Sequence, residues 1–262
     1  MVGAREPLLI AAAALLGLVF GSFGSVVAHR VPRRESIVGG RSKCPRCDHV
    51  LSAAENVPVF SYLWQGGRCR HCAAHISARY PAIEVANAVL FGLSAWKFGL
   101  TVAAVVFAGF FWVLLVLSVI DIDHHLLPTR IVMPAFVAGW AGLALAGLVA
   151  GEPHRLAGAL IGSVLFGGFI FAIAFAYPAG MGLGDVRLAF VLGSFLGYLG
   201  GAGVVLVGMF LSFLLGALIG VVAMKVTGGT RKMQVPFGPS LALGTVVAVF
   251  AGGPLLDAYL NL

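Results

Sequence analysis

Charge is scarce in this 262-residue chain: only 10% of residues are Asp, Glu, Lys or Arg, against 60% hydrophobic residues and a mean hydropathy of +1.01. A water-soluble domain of this size could not hide so much apolar surface, so a soluble enzyme or binding module is excluded. Tandem repeats and low-complexity tails are also missing. No Ser stands in a pattern with a paired His and acid, which removes the usual hydroxyl nucleophile. Cysteine is limited to four residues, all between positions 44 and 72.

Long apolar runs are what the chain has in abundance. A hydrocarbon core of ~30 Å asks for helical runs of roughly 17–25 residues. Eight candidates are found, at about 8–28, 82–98, 101–120, 131–150, 156–177, 186–199, 202–224 and 237–258, of which the second and sixth are short. The expected fold class is an all-α polytopic membrane protein with about eight transmembrane helices and one small cytoplasmic loop domain. The first run lacks a small-x-small cleavage site before a soluble domain, so it reads as a retained anchor. The expected organisation is a first transmembrane helix over 1–29, a loop domain over 30–80 and a membrane domain over 81–262. In Gly21-Ser22-Phe23-Gly24-Ser25, small residues let a neighbouring helix approach closely.

The net charge of +7 is distributed unevenly. With eight spans and the N-terminus outside, Arg5, Lys97 and Arg155 fall on one side and the other 14 of the 17 basic residues on the other. That bias sets the crowded side as cytoplasmic, and no nucleic-acid partner is expected.

The four cysteines form two knuckles, Cys44-Pro45-Arg46-Cys47 and Cys69-Arg70-His71-Cys72. Each C-x-x-C turn aims two thiolates at one point, and two turns complete a tetrahedral Cys₄ shell for Zn²⁺. On the reducing side of the membrane a disulfide is disfavoured. A closed shell has no open position, so the expected zinc is structural. Lys43, Arg46, Arg68 and Arg70 are expected to lower the thiol pKa values and offset the charge of the centre. Farther on, Glu84 is expected in the first turn of the second span, where it either favours the helix N-terminus or makes a polar contact to substrate or Arg79.

Two aspartate-bearing stretches interrupt the apolar runs: Asp121-Ile122-Asp123-His124-His125-Leu126-Leu127-Pro128 and Gly182-Leu183-Gly184-Asp185-Val186-Arg187. Acids at a membrane boundary are costly, so they mark function, and each is the other's natural partner. Asp121 and Asp123 point about 200° apart on a helix, so only one of them can face a shared cleft. His124 and His125 read as interfacial residues in preference to metal ligands, since neighbouring positions diverge on a helix. The glycines beside Asp185 are expected to supply positive φ in a non-helical, water-lined segment. Gly228-Gly229-Thr230-Arg231-Lys232-Met233-Gln234 reads as a cytoplasmic loop. Pro236-Phe237-Gly238-Pro239 reads as either helix initiation or a wall of the cleft. Two carboxylates in one pocket can divide the work of an aspartic peptidase, one activating water and the other polarising the scissile carbonyl. The same pair would also serve a proton-coupled transporter as relay groups, and a zinc-stabilised assembly scaffold would need neither acid.

The chain resembles the type IV prepilin peptidases, membrane aspartic peptidases with a G-x-G-D signature. The resemblance covers nearly the whole length, through GSFGSVVAHRVP at 21–32, CPRC and CRHC, ISARYPAIE at 76–84, DIDHHLLP at 121–128, GMGLGDVRL at 180–188 and PFGPSLALG at 236–244. It implies that Asp121 and Asp185 are the catalytic pair, with Asp123, Glu84, Gly182, Gly184 and Arg187 in support. It implies removal of a basic leader from pilin or pseudopilin precursors that carry a single N-terminal apolar helix, at the cytoplasmic face of a bacterial inner membrane. It also implies N-methylation of the new N-terminal residue from S-adenosylmethionine. Three positions depart from the family pattern: an Asn common near Gly24-Ser25 is absent, Arg187 stands where Lys is frequent, and Thr129 stands where Asp is frequent.

Overall fold

The computed structural model describes residues 5–178, 181–227 and 236–261. Its helices are α1 (Arg5–Arg30), the short α2 (Phe60–Trp64), α3 (Arg79–Phe98), α4 (Val102–His124), α5 (Thr129–Val149), α6 (Arg155–Ala176), α7 (Leu183–Thr227) and α8 (Gly238–Leu260). A single 3₁₀ turn at Ala54–Asn56 lies between the cysteine knuckles. No named strand occurs among the described residues; two isolated bridges, Lys43 with Val50 and Arg68 with His75, close the knuckles. The chain divides into two compact units, Met1–Val116 and Leu117–Leu262.

Six described helices are long and apolar enough to cross a membrane, where the sequence predicts eight. Two local features account for the difference. The helix α3 carries Glu84, Asn87, Ser94 and Lys97, which dilute its apolarity. Three of these turn inward, as polar groups in a membrane helix do: Glu84, Asn87 and Ser94 are buried. The helix α7 runs for 45 residues without a gap in its assignment, but Gly200 (φ −156°, ψ 26°) and Gly201 (φ 60°, ψ −154°) leave helical geometry. Only glycine takes the Gly201 conformation readily, and this break coincides with the expected boundary between runs six and seven. The other helix limits agree with the sequence expectation to within about one turn.

In the first unit, α1 packs on α3 through Gly17 and Gly21, a G-x-x-x-G spacing that brings backbones together. A methyl group on either glycine would stand 2.7 Å from the facing backbone, at Ala88 Cα and Glu84 Cα. Asn87 Nδ2 donates to the Gly17 carbonyl at 2.8 Å and ties the seam. Gly24 leaves room for Trp112, whose indole N–H donates to the Phe20 carbonyl at 2.8 Å.

The second unit repeats the device. Gly158 and Gly162 of α6 face Gly193 and Gly197 of α7, so that main chain lies directly on main chain. The helix α8 packs along the second half of α7, where Ser212 Oγ donates to the carbonyls of Gly208 at 2.8 Å and Leu241 at 3.3 Å. The core of α7 is a run of fully buried Leu188, Leu192 and Leu196.

Candidate active site and metal centre

The last turn of α4 carries both candidate acids of the first motif, and burial separates them. Asp121 continues the inward face that holds Leu114, Leu117 and Ile120, and is 6% exposed; Asp123 is on the exposed face. The helix then stops at His125, whose φ of 50° reverses the chain while its N–H still bonds to the Asp121 carbonyl at 2.9 Å. Among the described residues, His124 and His125 belong to no group able to hold a metal.

Asp121 Oδ2 accepts the N–H of Gly238, the first residue of α8, at 2.9 Å. An amide at a helix N-terminus has no partner within the helix, so a carboxylate fits there both by hydrogen bonding and by the dipole. Asp185 has an analogous arrangement at the start of α7. Its Oδ2 accepts the Gly182 N–H at 3.2 Å, while its own N–H bonds to the Gly182 carbonyl at 3.1 Å. The acid thus reaches back over the first turn, as the acid of a capping box does.

Leu127 joins these two helix starts. A methyl group on Gly184 would lie 3.0 Å from Leu127 Cβ, and one on Gly238 would lie 3.3 Å from Leu127 Cδ2 and 2.7 Å from Asp121 Oδ2. The structure therefore gathers Asp121, Leu127, Gly184 with Asp185, and Gly238 in one place. The sequence suggested Gly238 as a cleft wall; Leu127 carried no signal beyond being apolar.

The expectation for the Asp185 glycines is corrected. Neither Gly182 nor Gly184 has positive φ, and α7 already begins at Leu183. At Gly184 glycine is favoured by space instead, since a methyl group there would stand 3.0 Å from Leu127 Cβ. Gly180 and the loop over 228–234 lie outside the described residues. Arg187 and Thr129, two of the departures from the family pattern, meet: Arg187 Nη1 donates to Thr129 Oγ1 at 2.8 Å.

Glu84 is also placed differently from expectation. The helix α3 starts at Arg79, so Glu84 lies beyond its first turn and the dipole argument fails. Instead Glu84 is 8% exposed, and its Oε2 accepts the Val59 N–H at 2.7 Å. Val59 has φ 61° and ψ −51°, and Phe60 N–H bonds to the Pro58 carbonyl at 2.6 Å. This is a γ-turn of the positive-φ kind, strained for a β-branched residue.

The two cysteine knuckles repeat each other. Cys44 N–H bonds to the His49 carbonyl and Asp48 N–H to the Cys44 carbonyl; Cys69 with Ala74 and Ala73 with Cys69 do the same, all at 2.9 Å. Asp48 (φ 53°) and Ala73 (φ 56°) occupy the equivalent turning position. All four Sγ atoms lie within 4.8 Å of one another, with Cys44 to Cys72 at 3.9 Å and Cys47 to Cys69 at 4.0 Å. Four sulfurs each about 2.3 Å from a central ion stand about 3.8 Å apart along the edges of a tetrahedron, so the cluster fits zinc.

The Cys44 thiol is drawn down to about 7, first by the backbone N–H groups of Arg46 and Cys47. Cys47 receives a lowering bond from the His49 N–H, yet burial and the neighbouring thiols push it up to about 12. The backbone turn therefore does what the sequence assigned to basic side chains, and Lys43 is paired with Asp48 at 2.8 Å. The His49 and His71 rings stack with centroids 3.4 Å apart beside this shell.

The chain has recognisable relatives. A family model described as the Bacterial Peptidase A24 N-terminal domain matches residues 15–98, and one described as the Type IV leader peptidase family matches residues 108–221. The prepilin leader peptidase/N-methyltransferase of Pseudomonas aeruginosa is 36% identical over 273 residues, spanning 94% of this chain and 92% of the relative. The protein of the same name from Stutzerimonas stutzeri is 35% identical over 286 residues, with 98% and 96% covered. The one from Bacillus subtilis is 33% identical over 248 residues, with 95% and 96% covered. No solved structure matches the chain. Identity at this level along almost the full length of such relatives, together with both family models in the same order, shows that the chain belongs to the type IV leader peptidase family.

Proposed function

We propose that this membrane protein removes the basic leader from type IV pilin or pseudopilin precursors and then N-methylates the new N-terminal residue, with Asp121 and Asp185 as the peptidase pair. The observation that supports this reading is that Asp121, through Gly238, and the Gly184–Asp185 turn meet at Leu127, with each acid held by a backbone N–H at a helix start. Two neighbouring carboxylates share a proton readily. The ionised member takes a proton from water as the water oxygen attacks the scissile carbonyl carbon. The protonated member donates to the carbonyl oxygen. Collapse of the tetrahedral intermediate expels the amine, which takes its proton from the carboxyl that had deprotonated the water, while the other carboxylate recovers its proton from the intermediate's hydroxyl. Asp123, exposed on the opposite face, is outside the pair.

Cys44, Cys47, Cys69 and Cys72 would hold a structural Zn²⁺ that folds the loop over 30–80, between a first span over 1–29 and a peptidase domain over 81–262. S-adenosylmethionine would supply the methyl group. The basic residue bias supports a site at the cytoplasmic face of the inner membrane, where a precursor held in lipid by its one apolar helix would present its cleavage point.

Purified protein in detergent, incubated with a pilin-like precursor and followed by product mass, tests this. Asp121→Asn and Asp185→Asn each abolish leader loss, whereas Asp123→Asn retains it. Turnover by either of the first two variants removes the assignment.

A further inference from the structure

A cavity of about 550 Å³ lies in the first unit, bounded by the end of α1, the start of α3 and the cysteine knuckles. That volume is within the roughly 300–1,000 Å³ typical of sites that enclose a small organic ligand. Its lining is chemically mixed: the buried carboxylate of Glu84, the rings of Tyr62 and Tyr80, the guanidinium of Arg46, and the two buried cysteines Cys44 and Cys69. We infer that this cavity is the S-adenosylmethionine site, with the Glu84 carboxylate facing the ligand's cationic sulfonium, an inference that rests on the methyl-transfer half of the proposed function.

Three features fit that ligand. A sulfonium carries a fixed positive charge with no hydrogen to donate, so what recognises it is a carboxylate or an aromatic face. Glu84 is held in place by the Val59 N–H and by the Ser22 hydroxyl, so its charge is positioned before any ligand arrives. The strained turn at Val59 is maintained on one side by that same bond, and strain held by surrounding structure marks sites in use. Tyr62 and Tyr80 offer ring faces to an adenine base, and Arg46 offers a fork to the ligand's carboxylate. Because Cys44 and Cys69 form part of the wall, an intact metal shell is a condition for the site.

Equilibrium dialysis of the full-length protein in detergent, with labelled S-adenosylmethionine and with S-adenosylhomocysteine, tests the inference apart from turnover. The second compound has the same adenosine and amino-acid ends but a neutral sulfur. Wild type is expected to prefer the sulfonium compound, and Glu84→Gln to lose that preference, with ~10- to 100-fold weaker binding of S-adenosylmethionine only. Tyr80→Ala is expected to weaken both compounds alike, which keeps the cavity assignment testable should Glu84→Gln fold poorly. Zinc content, measured on the same preparations, is expected to stay at the wild-type level in both variants, and leader removal to stay at the wild-type level in Tyr80→Ala. An unchanged preference in Glu84→Gln, or unchanged affinity in Tyr80→Ala, overturns the inference while intact leader removal leaves the peptidase reading standing. Absence of leader removal in wild type would instead sink that reading.

Discussion

Replacing Gly238 by alanine puts the proposed catalytic geometry under a defined load. The new methyl would stand 2.7 Å from Asp121 Oδ2 and 3.2 Å from its Cγ. Reaching an ordinary contact of about 3.4 Å requires the carboxylate to retreat by roughly 0.7 Å. The Gly238 N–H to Oδ2 bond, 2.9 Å in the native chain, would lengthen to roughly 3.6 Å and be lost as a hydrogen bond. A bond to a charged acceptor contributes about 1.5–3 kcal/mol, and a misplacement near 1 Å slows a positioned reaction by about 10²-fold; the two overlap, since both describe one displaced group. The expected result is a fall in kcat/KM for leader removal of roughly 30- to 100-fold, or about 2–2.7 kcal/mol. The assay is cleavage of a purified precursor in detergent, followed by mass. Gly253→Ala on the same helix is the control, because a methyl there meets nothing within 4 Å, and alanine favours helix over glycine. A Gly238→Ala enzyme within threefold of wild type would refute the proposed role of this contact.

Other outcomes follow from the same structure. Cys44→Ser, or prolonged chelation, should release one zinc per chain and open the loop over 30–80 to trypsin at its many arginines, read by metal analysis and by fragment mapping, while leader removal is reduced far less. Gly17→Ala should destabilise the first unit by about 1–3 kcal/mol because backbone faces the new methyl and cannot rotate aside; a melting shift of about 4–8 °C is expected for 2 kcal/mol, measured in detergent. Thr129→Asp converts the Arg187 hydrogen bond into an exposed ion pair worth at most about 1 kcal/mol, so a melting temperature moved by more than about 4 °C would contradict the pairing.

The helices were legible because a run of apolar residues has one use in a chain of this composition, and Asp121 and Asp185 stood out as candidates because a membrane boundary makes acids expensive. Which acid of the first motif turns inward was legible only as a choice, settled by the burial of Asp121 against the exposure of Asp123. The role of the glycine at 184 was misread, since sequence cannot tell a glycine needed for φ from one needed for space. Arg187 and Thr129 looked like two separate departures until their side chains met. The Val59 bond to Glu84 had no local signal, because it joins residues 25 apart through a strained turn. The seams at Gly17–Gly21, Gly158–Gly162 and Gly193–Gly197 did carry a signal in their spacing, which the positions alone, among 36 glycines, did not single out.

The contact of α6 with α7 has a consequence for how a precursor gets in. Where two backbones touch there is no pliable side chain to compress, so that junction behaves as a hinge plate bolted shut, and Asp185 rides on its far end. An incoming helix cannot wedge itself there. Of the two flanks of α7, the one where α5 leans only lightly is the more yielding.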